Sequence, residues 1–163
     1  ENKMKQFKSK LILRTFDGTM EELKITPSNK NTKVEFQIRY YNEMDIRIKA
    51  SIIFEDVIAV DFRINYFDNC VGSDLGGFYE ILENNYKVQL IEEIFENRRH
   101  GHLLHGDYSY DPTDDNDSLN NRESLSDILK QLDCYHLYQQ QAYGGILLVL
   151  AKSYCLVEHK NEG

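Results

Sequence analysis

The sequence predicts an α+β fold that is mainly antiparallel β-sheet, two-layered in the manner of a sandwich, with one long amphipathic helix and one short helix. Three observations carry this expectation. Between residues 34 and 66, apolar and polar side chains alternate with period two, the pattern of strands with one dry face and one wet face. From Tyr86 to Arg99 the apolar period becomes helical. Near the end, two apolar runs flank Ala142-Tyr143-Gly144-Gly145, whose glycines supply the backbone freedom of a tight turn.

The elements follow in chain order. "LILRTF" and "EELKIT" flank Asp17-Gly18, a dipeptide that signals a hairpin. "SNKNTK" after Pro27 reads as a loop. Val34, Phe36, Ile38 and Tyr40 share one face, opposite Glu35, Gln37 and Arg39. Beyond the turn "YNEMD", Ile46, Ile48, Ala50, Ile52 and Phe54 face away from Arg47, Lys49 and Ser51. Ile58, Val60, Phe62, Ile64 and Tyr66 repeat the pattern against Asp61, Arg63 and Asn65. "DNCVGSDLGG" is turn-forming, and "FYEIL" reads as a strand.

The long helix places Val88, Ile91, Ile94 and Phe95 at helical spacing, to pack against the sheet. Asn84 or Asn85 is expected to cap its start. Arg98 and Arg99 offset the negative end of its dipole. Gly101 fits the position just after the helix, where a positive φ is common. A second helix is expected from Leu125 to Leu132, with Ser124 as cap and Leu125, Ile128, Leu129 and Leu132 as its apolar face. "CYHLYQQQ" and "ILLVLAKSYCLV" then form the final hairpin, and the unbroken apolar run Ile146–Leu150 predicts a strand covered on both faces. Eight or nine strands suffice to split into two packed layers.

A chain of 163 residues suits a single globular domain over 1–163. No apolar run approaches the ~20 residues of a membrane helix. "ENKMKQFKSK" lacks the apolar core of a signal peptide, so a cytoplasmic location is expected. Cys70, Cys134 and Cys155 form no metal-binding spacing and are expected to be reduced, partly buried thiols. The net charge of −8 is uneven: residues 1–50 carry 11 Lys+Arg against 7 Asp+Glu, and residues 51–163 carry 8 against 20. That excludes the basic surface that nucleic-acid binding requires. It suits solubility and a basic protein partner.

The densest polar stretch is "NRRHGHLLHGDYSYDPTDDND", from Asn97 to Asp117. If the chain is extended from Gly101 to Tyr110, His102 and His105 fall on opposite faces. A helix stop carrying His100, followed by a polar connection, then explains the histidines without a metal or cofactor. The alternative is a metal-assisted hydrolase or other small enzyme using His102, His105 and Asp107. The acidic run fails the EF-hand register. Counting from Asp111 puts Asn116 at the glycine position and Arg122 at the bidentate glutamate position; counting from Asp114 puts Leu125 at the latter. Tyr108 and Tyr110 among Asp107, Asp111, Asp114, Asp115 and Asp117 suit a partner-binding loop instead.

Elsewhere the chemistry is sparse. "GSDLGG" lacks the helix start and lysine of a phosphate cradle. Asp61, Arg63 and Asn65 form a polar row on one strand face, and adjacent Glu55 and Asp56 point apart. Tyr86, Tyr135, Tyr138, Tyr143 and Tyr154 are expected at the core edge. No catalytic residue is assigned. A scaffold module that pairs through an exposed strand edge is a further reading.

The runs "FEDVIAVDFRINYFDN", "GSDLGGFYEIL", "GDYSYDPTDDND" and "YHLYQQQAYGGILLVLAKSYCLV" resemble small acidic bacterial proteins of the immunity type. Such proteins are encoded beside toxins and neutralise them by binding. The resemblance implies a non-enzymatic, antitoxin-like protein whose partner is a basic toxin, with neither nucleic acid nor membrane involved. It carries over no individual residue.

Overall fold

Alternation in the sequence becomes strands in the computed structural model, which describes residues 8–65, 74–104 and 125–160. Among these residues there are nine strands: β1 (Ser9–Leu13), β2 (Thr19–Thr26), β3 (Lys33–Tyr41), β4 (Arg47–Glu55), β5 (Ala59–Ile64), β6 (Leu75–Ile81), β7 (His136–Ala142), β8 (Gly145–Ala151) and β9 (Ser153–His159). The helices are α1 (Asn84–Leu104) and α2 (Leu125–Lys130), and a 3₁₀ turn covers Leu132–Cys134. The chain groups into two compact units, Glu1–Leu82 with His136–Gly163, and Glu83–Tyr135.

The first unit holds every described strand, in two antiparallel sheets. One sheet has the order β1-β6-β7-β8-β5, the other β2-β3-β4-β9. In the second sheet β2, β3 and β4 form a meander, and β9 returns from the far end of the chain to pair Leu156 with Ile52. Val34, Phe36, Ile38, Ala50, Ile52 and Phe54 are fully buried on its inner face. Phe78, Leu147, Val149 and Ala151 meet them from the other sheet in one core cluster. Each large apolar side chain so buried contributes about 1.5–3 kcal/mol. Phe36, Phe54, Phe78 and Tyr138 extend a chain of ring contacts across the sandwich, at centroid distances of 5.1, 5.8 and 5.9 Å. Leu137 and Leu150 belong to the opposite face of their sheet and are buried as well, but Ile146 is exposed and Leu148 half-buried on that face, so the expected double cover holds only towards the end of β8.

Turns follow the predicted chemistry in most places. The β7–β8 hairpin closes with Ala142 opposite Gly145, and Gly144 adopts φ 87°. A side chain at Gly145 would lie 2.8 Å from the Arg63 carbonyl. Asp17-Gly18 departs from expectation. It forms a turn, with the Gly18 amide donating to the Thr15 carbonyl, but β1 pairs with β6 and β2 with β3. The turn therefore carries the chain from one sheet to the other. Ile46 is half exposed and precedes β4, so it does not extend the inner face.

The second unit contains α1, α2 and the 3₁₀ turn. Leu90, Ile91 and Phe95 of α1 are buried, as are Ile128 and Leu132. Asn84 and Asn85 lie inside the first turn of α1, where the Tyr86 amide donates to the Glu83 carbonyl. The predicted stop at Gly101 is incorrect. The helix continues to Leu104, because glycine weakens a helix interior without breaking it. Buried Lys87 donates from Nζ to the carbonyls of Leu132 (3.3 Å) and Tyr135 (3.0 Å). The ammonium thus ties α1 to the end of the 3₁₀ turn, where the Leu132 carbonyl also accepts from the Tyr135 amide.

Candidate functional site

An open groove of about 700 Å³ runs along one flank of the sandwich. Its walls come from β1 (Leu11 to Leu13, with Arg14), the end of β3 (Tyr40, Tyr41), the following turn (Asn42 to Met44) and β9 (Leu156, Glu158). The turn has a local cause. The Asn42 side-chain oxygen accepts from the amides of Met44 (2.9 Å) and Ile46 (3.0 Å), an Asx-type turn. Asp45 completes it at φ 57°. This geometry lifts Met44 into solvent, 74% exposed; Tyr41, just before the turn, is also exposed.

Inside the groove the Tyr40 hydroxyl donates to Glu158 Oε1 at 3.2 Å. Burial, reinforced by the Glu158 carboxylate, pushes the Tyr40 hydroxyl up from 10.0 to about 12. Tyr40 therefore stays a hydrogen-bond donor at neutral pH and cannot serve as a base. What remains is an apolar surface of Leu11, Leu13, Met44 and Leu156, with Glu43, Glu158 and Arg14 around it. An exposed methionine and tyrosine beside carboxylates suit protein contact.

Two other clusters carry hydrogen-bonded histidines. Ser51 Oγ lies 2.8 Å from His159 Nε2. The pair sits on the outer face of β4 and β9, and Ser51 is buried. No described contact places a carboxylate, the orienting group of a nucleophilic triad, behind that imidazole. His136 Nδ1 lies 2.6 Å from Glu80 Oε1, and Tyr154 packs edge-on against Tyr138 at 5.2 Å. Burial first, then the charge of Glu80 and the neighbouring Tyr154, raises the Tyr138 hydroxyl to about 12. No nucleophile joins this group among the described contacts.

The residues singled out in the sequence fall as follows. His100 and His102 lie on α1, so the extended run expected from Gly101 is overturned over residues 101–104. His105, Asp107, Tyr108, Tyr110, Asp111, Asp114, Asp115 and Asp117 lie outside the described residues. Among the described residues no group of three or more His, Cys, Asp or Glu is arranged to hold a metal. Arg63 Nε pairs with Asp61 at 3.5 Å on the outer face of β5, a surface charge pair. Glu55 pairs with Lys33 at 3.7 Å, and Asp56 takes φ 52° in a turn where its amide donates to Asn31. Cys134 and Cys155 are free and exposed, not partly buried. Tyr135 and Tyr138 are buried, whereas Tyr154 and Tyr143 are exposed, contrary to the expected core edge.

The groove itself is invisible to local pattern reading, because it joins β1 to β9 from opposite ends of the chain. Its one sequence signal is the lone methionine in a polar turn. Comparison with family models, curated proteins and solved structures finds no significant match.

Proposed function

We propose that this chain is a non-enzymatic protein-binding module of the immunity type, which neutralises a basic toxin by covering it. The observation that supports this is the groove. Leu11, Tyr41, Met44 and Leu156 offer contact area, and Glu43 and Glu158 give it negative charge in a chain of net charge −8. Apolar surface beside charge is the usual anatomy of a docking site. A basic partner would be drawn to it, since complementary charge raises association rates about 10–1,000-fold at low salt. The segment bearing Asp107, Tyr108, Tyr110, Asp111, Asp114, Asp115 and Asp117 is proposed as a partner-binding segment in its own right, on its sequence alone.

The test uses the product of the adjacent gene as partner. Association is measured against sodium chloride for the native chain, for Glu43→Lys with Met44→Asp, and for the triple change of Asp114, Asp115 and Asp117 to Ser. Binding that slows with salt, and slows further in the groove variant, supports the reading. Binding indifferent to salt and to both variants, or no binding, refutes it. Salt-indifferent loss confined to the triple variant would also refute the groove as the docking face.

A further inference from the structure

We infer that β9 pairs edge to edge with β9 of a second copy of this chain. A free sheet edge is a template for another strand, and proteins blunt such edges with charge, bulges or short length. Among the described residues the two sheets end on four edges: β1, β5, β2 and β9. Three of them are blunted. β1 is five residues long, carries Lys10 and has a register shift between Leu11 and Leu13. β2 carries Glu21, Glu22 and Lys24, with a shift between Met20 and Glu22. β5 carries Asp61 and Arg63 at its centre. The fourth is not: β9 pairs with β4 over seven consecutive positions without a shift. From Ser153 to Val157 it has neither charge nor proline. Every residue of β9 is exposed, including Tyr154 (37%), Leu156 (37%) and Val157 (42%).

The sequence of β9 complements itself. Paired antiparallel about Leu156, each Tyr154 faces Glu158 of the other copy, each Cys155 faces Val157, and each Ser153 faces His159. Apolar side chains meet at the centre, and the carboxylate meets a phenol rather than its own twin. Such cross-strand pairs stabilise a sheet, whereas like charges directly opposite oppose it. The one like-charge pair, Lys152 with Lys160, falls at the outer ends, where both side chains are exposed. The contact is isologous, so it closes at two copies. It joins four strands from each copy into one continuous sheet. The inference goes beyond the groove, because it uses the backbone of β9 rather than its inner face.

Light scattering over a concentration series tests it, with the mass expected to rise from 19.2 kDa towards twice that value. Val157→Lys places an edge lysine on an exposed position and should weaken pairing roughly tenfold, since two symmetric contacts are lost. In a background with Cys70, Cys134 and Cys155 changed to Ser, Leu156→Cys should form an intermolecular disulfide on mild oxidation. The two cysteines would stand directly opposite, within bridging distance. Ser153→Cys, displaced from its own twin by six positions, should not. A particle of constant monomer mass at millimolar concentration overturns the inference. So does a dimer that survives Val157→Lys unchanged, or Leu156→Cys cross-linking no more than Ser153→Cys.

Discussion

Asp17, Asp45, Asp56 and Asp74 all adopt positive φ, between 52° and 62°. Part of the chain's acidity is therefore conformational. Aspartate tolerates the left-handed region because its short side chain bonds locally, while a β-branched residue there is strained. Asp45→Gly should leave stability within about 0.5 kcal/mol of the native chain, and Asp45→Val should lower it by about 1–3 kcal/mol, read by urea unfolding. Tyr40 and Tyr138 give the same scale a pH dependence. Both hydroxyls are raised to about 12, Tyr40 by burial and then Glu158, Tyr138 by burial and then Glu80 and Tyr154. In this direction the unfolded chain loses its phenolic protons first. Their contribution is whole below pH ~10 and is lost as pH climbs towards ~12. Urea midpoints between pH 9 and 12 should fall over that window, and less steeply in Tyr40→Phe.

Within elements, the sequence was most legible where one periodicity ran without competition. Val34, Phe36, Ile38 and Tyr40 are buried as their alternation requires, and β7 meets β8 across the predicted tight turn, although the run read as one second strand divides into β8 and β9 of different sheets. Signals carried by one or two residues were less reliable. Asp17-Gly18 makes a turn, but which strand the chain joins next is decided by the two-sheet core, with β1 supplying Leu13 to it and β2 supplying Met20. Gly101 is compatible with a helix end or a helix interior, and the residues after it decide. A substitution separates the two roles. With Gly101 inside α1, Gly101→Ala should raise stability by about 0.5–1 kcal/mol. A left-handed glycine at a helix end would give the opposite sign under thermal or urea unfolding.

At the scale of the molecule, the antiparallel, two-layered character was readable because strand count and apolar faces leave few other ways to bury the rings. Phe54 touches Phe36, Phe78 and Tyr138 at 5.1, 5.8 and 5.4 Å, so Phe54→Ala should cost about 3–5 kcal/mol, read by denaturant unfolding. The groove was not readable, since Leu11 and Leu156 are far apart in sequence and neither is unusual in its own run. Buried Gln140 was likewise hidden inside a strand. Its amide nitrogen donates to Thr15 Oγ1 (3.1 Å) and to the Gln141 carbonyl (2.9 Å), and it tethers β7 to the end of β1.

The return of β9 to β4 also sets a timetable for synthesis. About a hundred residues separate Ile52 from its cross-strand neighbour Leu156, and ribosomes add roughly 5–20 residues per second. For about 5–20 seconds the nascent β2–β3–β4 meander waits with β4 uncovered, a sticky border on a half-built layer. Chaperone capture during translation should concentrate in that interval and cease once the closing strand has emerged.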